Sequence, residues 1–345
     1  MNDNSATIAD ERGKMNEEPC STSEPTRDAQ TQWSDPGMED HTYSKVPRIM
    51  SAPSIKPSHP VADSVLESFA DSLLYTGIQL IEFHTLVSCL QPFAPASSSM
   101  PVVDQILMTL MKLRQNFDMA DLARRFKTPQ HQVKKTVGMW IDIMSEHIKD
   151  LIPWLPRETI KDTLPQAFKE HFPNTICVIG RTETVTQKAT KRHSVTELQR
   201  HYYGNNTVKY LVAISPSGII MFISDAYDAK CSDRYIMQTS GILNYLRAGD
   251  EVIMGDWGFT ARDLLEECRV NFIMPAFTNK KCQLTKEEVT RTQCIAHANR
   301  HVERAIKRLK VYKILSQPVP IKLVPKITKM LKICAGLVNL RGEFK

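Results

Sequence analysis

Apolar residues in the first ordered stretch recur at intervals of three and four. Val65, Phe69, Leu73 and Leu74 have this helical spacing, and a second apolar helix is predicted from Ile78 to Leu90, stopped by Pro92 and Pro95. After a serine-rich loop at Ser97, Ser98 and Ser99, the run VVDQILMTLMKLR opens a helical region that lasts to about Ile152. Pro153, Trp154 and Pro156 close it. From about residue 174 the period changes to short apolar runs. Ile176 to Ile179 is the first. Val208 to Ile214 and Ile219 to Ile223 flank Ser215-Pro216-Ser217-Gly218, a hairpin connection. A helix is predicted over about Arg234 to Leu246, buried strands over Glu251 to Met254 and Val270 to Met274, and helices over about Thr285 to Leu315 and Val324 to Leu337. This order predicts an α/β domain with a mixed sheet flanked by helices, behind an all-helical module. No internal repeat is visible.

Residues 1–60 show no such periodicity. They are rich in Ser, Thr, Asp, Glu and Pro and are expected to be a disordered acidic tail. Three regions follow: the tail 1–60, a helical module 61–155, and an α/β domain 174–342. A chain of 345 residues, 42% hydrophobic and 24% charged, is long enough to bury a core without disulfides. The longest near-apolar run, Leu211 to Ile223, is too short and too interrupted to span a bilayer, so no membrane partner is expected. The opening MNDNSATIAD has no basic stretch followed by an apolar core, so no signal peptide is expected. The eight cysteines form no CxxC pair, and free thiols in a reducing compartment are the plain expectation.

The net charge of +6 hides an asymmetry. Residues 1–60 hold six Lys/Arg and ten Asp/Glu, net −4, which leaves +10 on the rest. A basic body behind an acidic tail makes nucleic acid a candidate partner, with a merely solvated basic surface as the alternative.

The segment from Asp118 to Ile141 has helix-turn-helix logic. Leu122, Ala123 and Phe126 give a first helix its inner face, and Lys127 and Thr128 form the turn. Thr128 is the expected N-cap, with Pro129 at the first helical position. Val133, Val137 and Trp140 or Ile141 pin a second helix, leaving Gln130, His131, Lys134 and Lys135 on its outer face. Such a helix suits the major groove. Residues 112–135 hold seven Lys/Arg against two acids, and Arg124, Arg125 and Lys127 join Lys134 and Lys135 as candidate phosphate contacts. An ordinary helical hairpin with a basic face is the competing reading.

Three further blocks bear on chemistry: Ile176 to Glu183, Gly249 to Phe259 with Asp256 after its apolar strand, and HVERAIKRLK (301–310) with Glu303. With the helix-turn-helix, the NTVKYLVAISPSG hairpin, Ser232-Asp233 and the closing Ala335 to Arg341, these blocks stand in an order that resembles the Harbinger-like DDE-endonuclease transposases, over about 78–342. The resemblance implies an RNase H-like fold. It also implies two aspartates and a glutamate that hold two divalent ions, magnesium or manganese. On the matching positions Asp256 is the second aspartate and Glu303 the glutamate. The first aspartate falls on Gly180, which has no ligand to offer. Metal binding is then expected to be weak or lost, and cleavage with it.

The resulting expectation is a transposase-derived DNA-binding protein of the nucleus with a degenerate DDE domain and duplex DNA as partner, joined by a protein partner or a second copy. Two alternatives stay open. One is an active nuclease that recruits a substitute carboxylate from Glu183, Asp225, Asp228 or Asp233. The other is an interaction scaffold with no DNA role. His297 and His301 are spaced i, i+4 but lack the glutamate of a zinc-protease helix, and Cys282 and Cys294 fit no standard zinc spacing. Residues 301–345 carry eleven Lys/Arg and two acids, which suits a DNA backbone or a solubilising face.

Overall fold

The structure, a computed structural model, describes residues 60–95, 98–187, 207–254, 262–274 and 285–341. The acidic segment 1–59 and Asp256 lie outside them.

Among the described residues eight α-helices precede the first strand: α1 (Val61–Val65), α2 (Phe69–Tyr75), α3 (Leu80–Leu90), α4 (Val102–Gln115), α5 (Met119–Arg125), α6 (Gln130–His147), α7 (Arg157–Asp162) and α8 (Gln166–His171). The stripe from Val65 to Leu74 does not make one helix. Ser68 starts α2 afresh, its Oγ accepting from the Asp71 N–H at 3.2 Å. Helix α4 is the axle of this part, buried at every residue from Asp104 to Leu113. The Asp104 carboxylate accepts the Val61 and Ala62 N–H groups at 3.0 and 2.8 Å, so it serves as the cap that α1 lacks. Helices α7 and α8, six residues each, were invisible to periodicity because each shows less than two turns of pattern.

The second part runs β1 (Thr175–Val185), β2 (Thr207–Ile214), β3 (Ile220–Ile223), β4 (Tyr227–Asp228), α9 (Asp233–Thr239), β5 (Glu251–Met254), α10 (Arg262–Glu267), β6 (Asn271–Ile273), α11 (Lys286–Lys310), α12 (Lys313–Ser316) and α13 (Ile327–Leu340). The sheet order is β3-β2-β1-β5-β6, with β4 beside β2. The β1, β2 and β3 pairings are antiparallel, whereas β1–β5 and β5–β6 are parallel. An antiparallel meander extended by parallel strands, with helices on both faces, is the RNase H-like arrangement. The residue alternation of each strand assigns its faces. Val178, Val208, Tyr210, Val212 and Ile253 face the core shared with α11 and α13. Cys177, Ile179, Leu211, Ala213 and Val252 face α9 and α10.

Several expected boundaries move for local reasons. Strand β1 continues past Ile179 to Val185 because β2 pairs with it along that length. The helix expected over 234–246 stops at Thr239. Gly241, at φ 82°, turns the chain into a 3-10 segment, Ile242–Tyr245. Helix α11 starts behind a full capping box of Thr285 and Glu288 and ends at Lys310. The buried Tyr312 then begins a new turn. The last helix is preceded by a 3-10 turn, Ile321–Lys326, which contains Pro325.

The two parts share one core. Arg114 of α4 donates to the Val311 carbonyl, and Asn339 of α13 donates to the carbonyls of Leu151 and Ile220, both at 2.8 Å. Gly336 of α13 lies so close to Ile148 that a Cβ would overlap it. The described residues form one compact unit. Among the described residues no single helix is long and apolar enough to cross a membrane.

Candidate nuclease cleft and DNA-reading helix

Position 180 is placed by strand parity. It shares its face with Val178, and therefore looks at α11. Helix α11 comes down on β1 at this point. An ideal Cβ on residue 180 would stand 2.8 Å from Val302 Cγ2 and 3.2 Å from Ile306 Cδ1. The glycine thus permits a close helix–strand approach, and Val302 fills the space that a side chain would occupy. Glu303, the next residue on α11, is exposed. On the far side of β1, Ile179 pairs with Met254 of the parallel strand β5. Asp256 follows β5 by two residues and lies outside the described residues.

Above Gly180 opens a cleft of about 380 Å³, lined from α11 by Asn299, Glu303, Ile306, Lys307 and Lys310. These residues recur at helical spacing and make one stripe of the helix. Lys310 donates to the Glu183 carbonyl at 2.9 Å, which pins its ammonium at the mouth. Asn299 is buried, and its Oδ1 has no hydrogen-bond partner among the described residues. The described oxygen donors of the cleft are thus one carboxylate and one amide oxygen, beside two lysines. Among the described residues no group of three His, Cys, Asp or Glu side chains is placed to hold a metal ion.

Three of the four carboxylates that stood as possible substitutes are engaged elsewhere, and the fourth points away. Asp233, at the start of α9, pairs with Arg181 at 2.8 Å on the opposite face of the sheet. Asp225 pairs with Lys332 at 3.0 Å, and Asp228 accepts the Lys230 N–H at 2.8 Å. Glu183 is exposed and an odd step from Gly180, so it points away from α11. His301 packs edge-on to Phe168 with ring centroids 5.3 Å apart. Burial pushes its imidazole below the usual range, and Arg304 and His297 add to this. Cys294 is half-buried on the same helix, and Cys282 lies outside the described residues.

The helix-turn-helix is α5 and α6. Its turn is a Schellman motif: the Thr128 N–H reaches the Ala123 carbonyl at 2.9 Å, and Lys127 takes the left-handed position at φ 48°. Because those bonds bind Thr128 to the end of α5, Pro129 becomes the N-cap of α6 and Thr128 does not. The inner face of α6 is Val133, Val137, Trp140, Ile141 and Met144, all buried. Trp140 Nε1 donates to Gln105 Oε1 of α4 at 2.8 Å, which fixes the roll of the helix. Arg124, Arg125, Lys127, Gln130, His131, Lys134 and Lys135 are all exposed. Arg125 is held by Asp121 at 2.8 Å and lies over the Phe117 ring. Two basic residues counted with this group turn inward. Lys112 is buried and donates to the Phe117 carbonyl at 2.8 Å, and Arg114 bonds the carbonyls of Leu73 and Val311. Both sit on α4, which is covered on all sides.

Residues 177–339 match the family described as DDE superfamily endonuclease, and residues 98–150 match the helix-turn-helix of DDE superfamily endonuclease. No curated protein and no solved structure matches the chain.

Proposed function

The chain belongs to the DDE superfamily endonucleases with a helix-turn-helix, as a transposase-derived protein, and from that premise we propose that it binds duplex DNA through α6 and has lost strand cleavage. The observation that carries the second half is the contact at residue 180. DDE endonucleases use divalent metals, and two-ion chemistry needs a carboxylate bridging both ions. Residue 180 has no side chain, and Val302 occupies the place where one would stand. Glu303 and Asp256 with water form at most the shell of a single, weakly held magnesium or manganese ion. Among the described residues no neighbouring acid stands ready to replace the missing one: Asp225 and Asp233 pair with cations, and Glu183 points away from α11.

Binding rests on α6. Its first turns enter the major groove, with Gln130 and His131 toward base edges and Lys134, Lys135, Arg124 and Lys127 toward phosphates. Arg125, held by Asp121, steadies the end of α5. The nucleus is the compartment that goes with this reading, as the place where such a protein would meet duplex DNA.

Full-length protein incubated with plasmid and end-labelled duplex should cut neither in magnesium nor in manganese, and should bind DNA equally in EDTA. Lys134→Ala with Lys135→Ala should weaken binding and lower the salt slope by about 1.8, the counterions of two phosphates. Metal-dependent cleavage that Asp256→Ala abolishes would overturn the loss of chemistry. An unchanged slope would overturn the assignment of α6.

A further inference from the structure

We propose that the DNA-contacting surface extends beyond the helix-turn-helix: Lys322, from the endonuclease part, grips a backbone phosphate of the same duplex that α6 reads. The inference rests on the DNA-binding reading of α6. A cleft of about 730 Å³ separates the start of α6 from the 320–323 segment. Gln130 and Lys134 line one wall, Ile321, Lys322 and Leu323 the other, and the buried Lys112 also lines it. A helix lying in the major groove, about 12 Å wide, has a phosphate backbone running along each flank. An element packed beside the first turns of that helix therefore lies in the path of one backbone. The apolar parts of Ile321, Leu323 and Met119 suit the sugar edge, and the lysines suit the phosphate.

The structure singles out Lys322 among the described lysines from Lys313 to Lys332. Lys326 and Lys329 are both tied to Asp142, and Lys332 to Asp225. Lys313 donates to Gln115 at 2.7 Å. Lys322 is exposed and makes no ion pair or side-chain hydrogen bond among the described residues. Asp118 is the one acid lining the cleft among the described residues, and it stands toward Lys112. The segment that carries Lys322 is also fixed in place. The Val319 N–H bonds the Val185 carbonyl at 2.9 Å, and the Gln187 N–H bonds the Val319 carbonyl at 3.0 Å. Beyond it, Lys326 Nζ donates to the Gly138 carbonyl of α6 at 2.7 Å. Because the backbone that carries Lys322 is already fixed, only the side chain's own rotamer freedom is lost when a phosphate arrives.

The test is a salt titration of a random-sequence duplex of about thirty base pairs against the full chain, read by fluorescence anisotropy. Lys322→Ala should weaken binding roughly five- to tenfold at 0.1 M salt and lower the slope of log K against log salt by about 0.9, the counterions of one phosphate. Lys322→Glu should weaken it further. Lys149→Ala, at the far end of α6 and paired with Glu146 at 2.7 Å, should change neither quantity. If Lys134→Ala lowers the slope while Lys322→Ala leaves it unchanged, this inference is wrong and the reading of α6 stands. If neither lowers it, the reading of α6 fails and carries the inference with it.

Discussion

Replacing Gly180 by alanine tests the contact on which the proposed loss of cleavage rests. The added Cβ would sit 2.8 Å from Val302 Cγ2. Carbon pairs are comfortable at about 3.5–4.0 Å, so α11 or Val302 must retreat by roughly 0.7 Å or more. Val302 is buried and Ile306 crowds the same point, so the strain is of the overpacking kind, about 1–3 kcal/mol. Against this, a strand glycine with ordinary backbone geometry gains about 0.4–1 kcal/mol on becoming alanine, by restricting the unfolded chain. The net expectation is a loss of about 0.5–2 kcal/mol. In a Val302→Ala background the obstacle is gone. That change alone costs roughly 1.5–3 kcal/mol in lost burial and cavity. There Gly180→Ala should become neutral or stabilising by about 0.5–1 kcal/mol, because its methyl refills the gap. Equilibrium urea unfolding of the four proteins reads the coupling directly, expected at about 1–3 kcal/mol. A Gly180→Ala cost that is equal in both backgrounds, within about 0.5 kcal/mol, would refute the contact and the placement of residue 180 against α11. The same geometry shows how to rebuild the site: Gly180→Asp should raise manganese affinity only together with Val302→Ala.

The half-buried His301 resists protonation, so the fold binds fewer protons than the unfolded chain below about pH 6.5. Stability should therefore fall as pH drops through that value toward the lower folded one. In His301→Gln the difference in Tm between pH 7.5 and pH 5 should shrink, and an equal difference would remove this histidine from the account. Trp140→Phe leaves the buried Gln105 amide without its partner and should cost about 1–3 kcal/mol in urea unfolding beyond the loss of ring volume. A total cost under about 0.5 kcal/mol would show the bond to be idle.

What the sequence disclosed and what it withheld follow from range. Helix and strand periods are local, so the strands around Ile176, Val208 and Glu251 and the inner face of α6 were readable from spacing alone. Gly180 and Glu303 were picked out by ordered blocks that resemble a family; the packing of α11 on β1, which sets Val302 and Ile306 over residue 180, was not readable from them. Pairings across long separations were not readable. Nothing in a pattern of three and four says that Lys112 turns inward to Phe117, that Arg181 finds Asp233, or that Asp142 takes both Lys326 and Lys329. A count of seven cations therefore overstated the outward charge of the helix-turn-helix by Lys112 and Arg114. The stripe Asn299, Glu303, Lys307 and Lys310 was legible as spacing, but its meaning needed the strand beneath it.

The close seat of Gly336 on Ile148, with Asn339 bridging Leu151 and Ile220, makes the α/β fold the foundation on which α6 stands. Remove the sheet and α13, and α6 loses a wall of its own socket. A chain of this build is free to let a cutting residue drift while every residue of the joint stays under the demand of fit. An idle blade, on this view, is kept because the handle is made from the same piece.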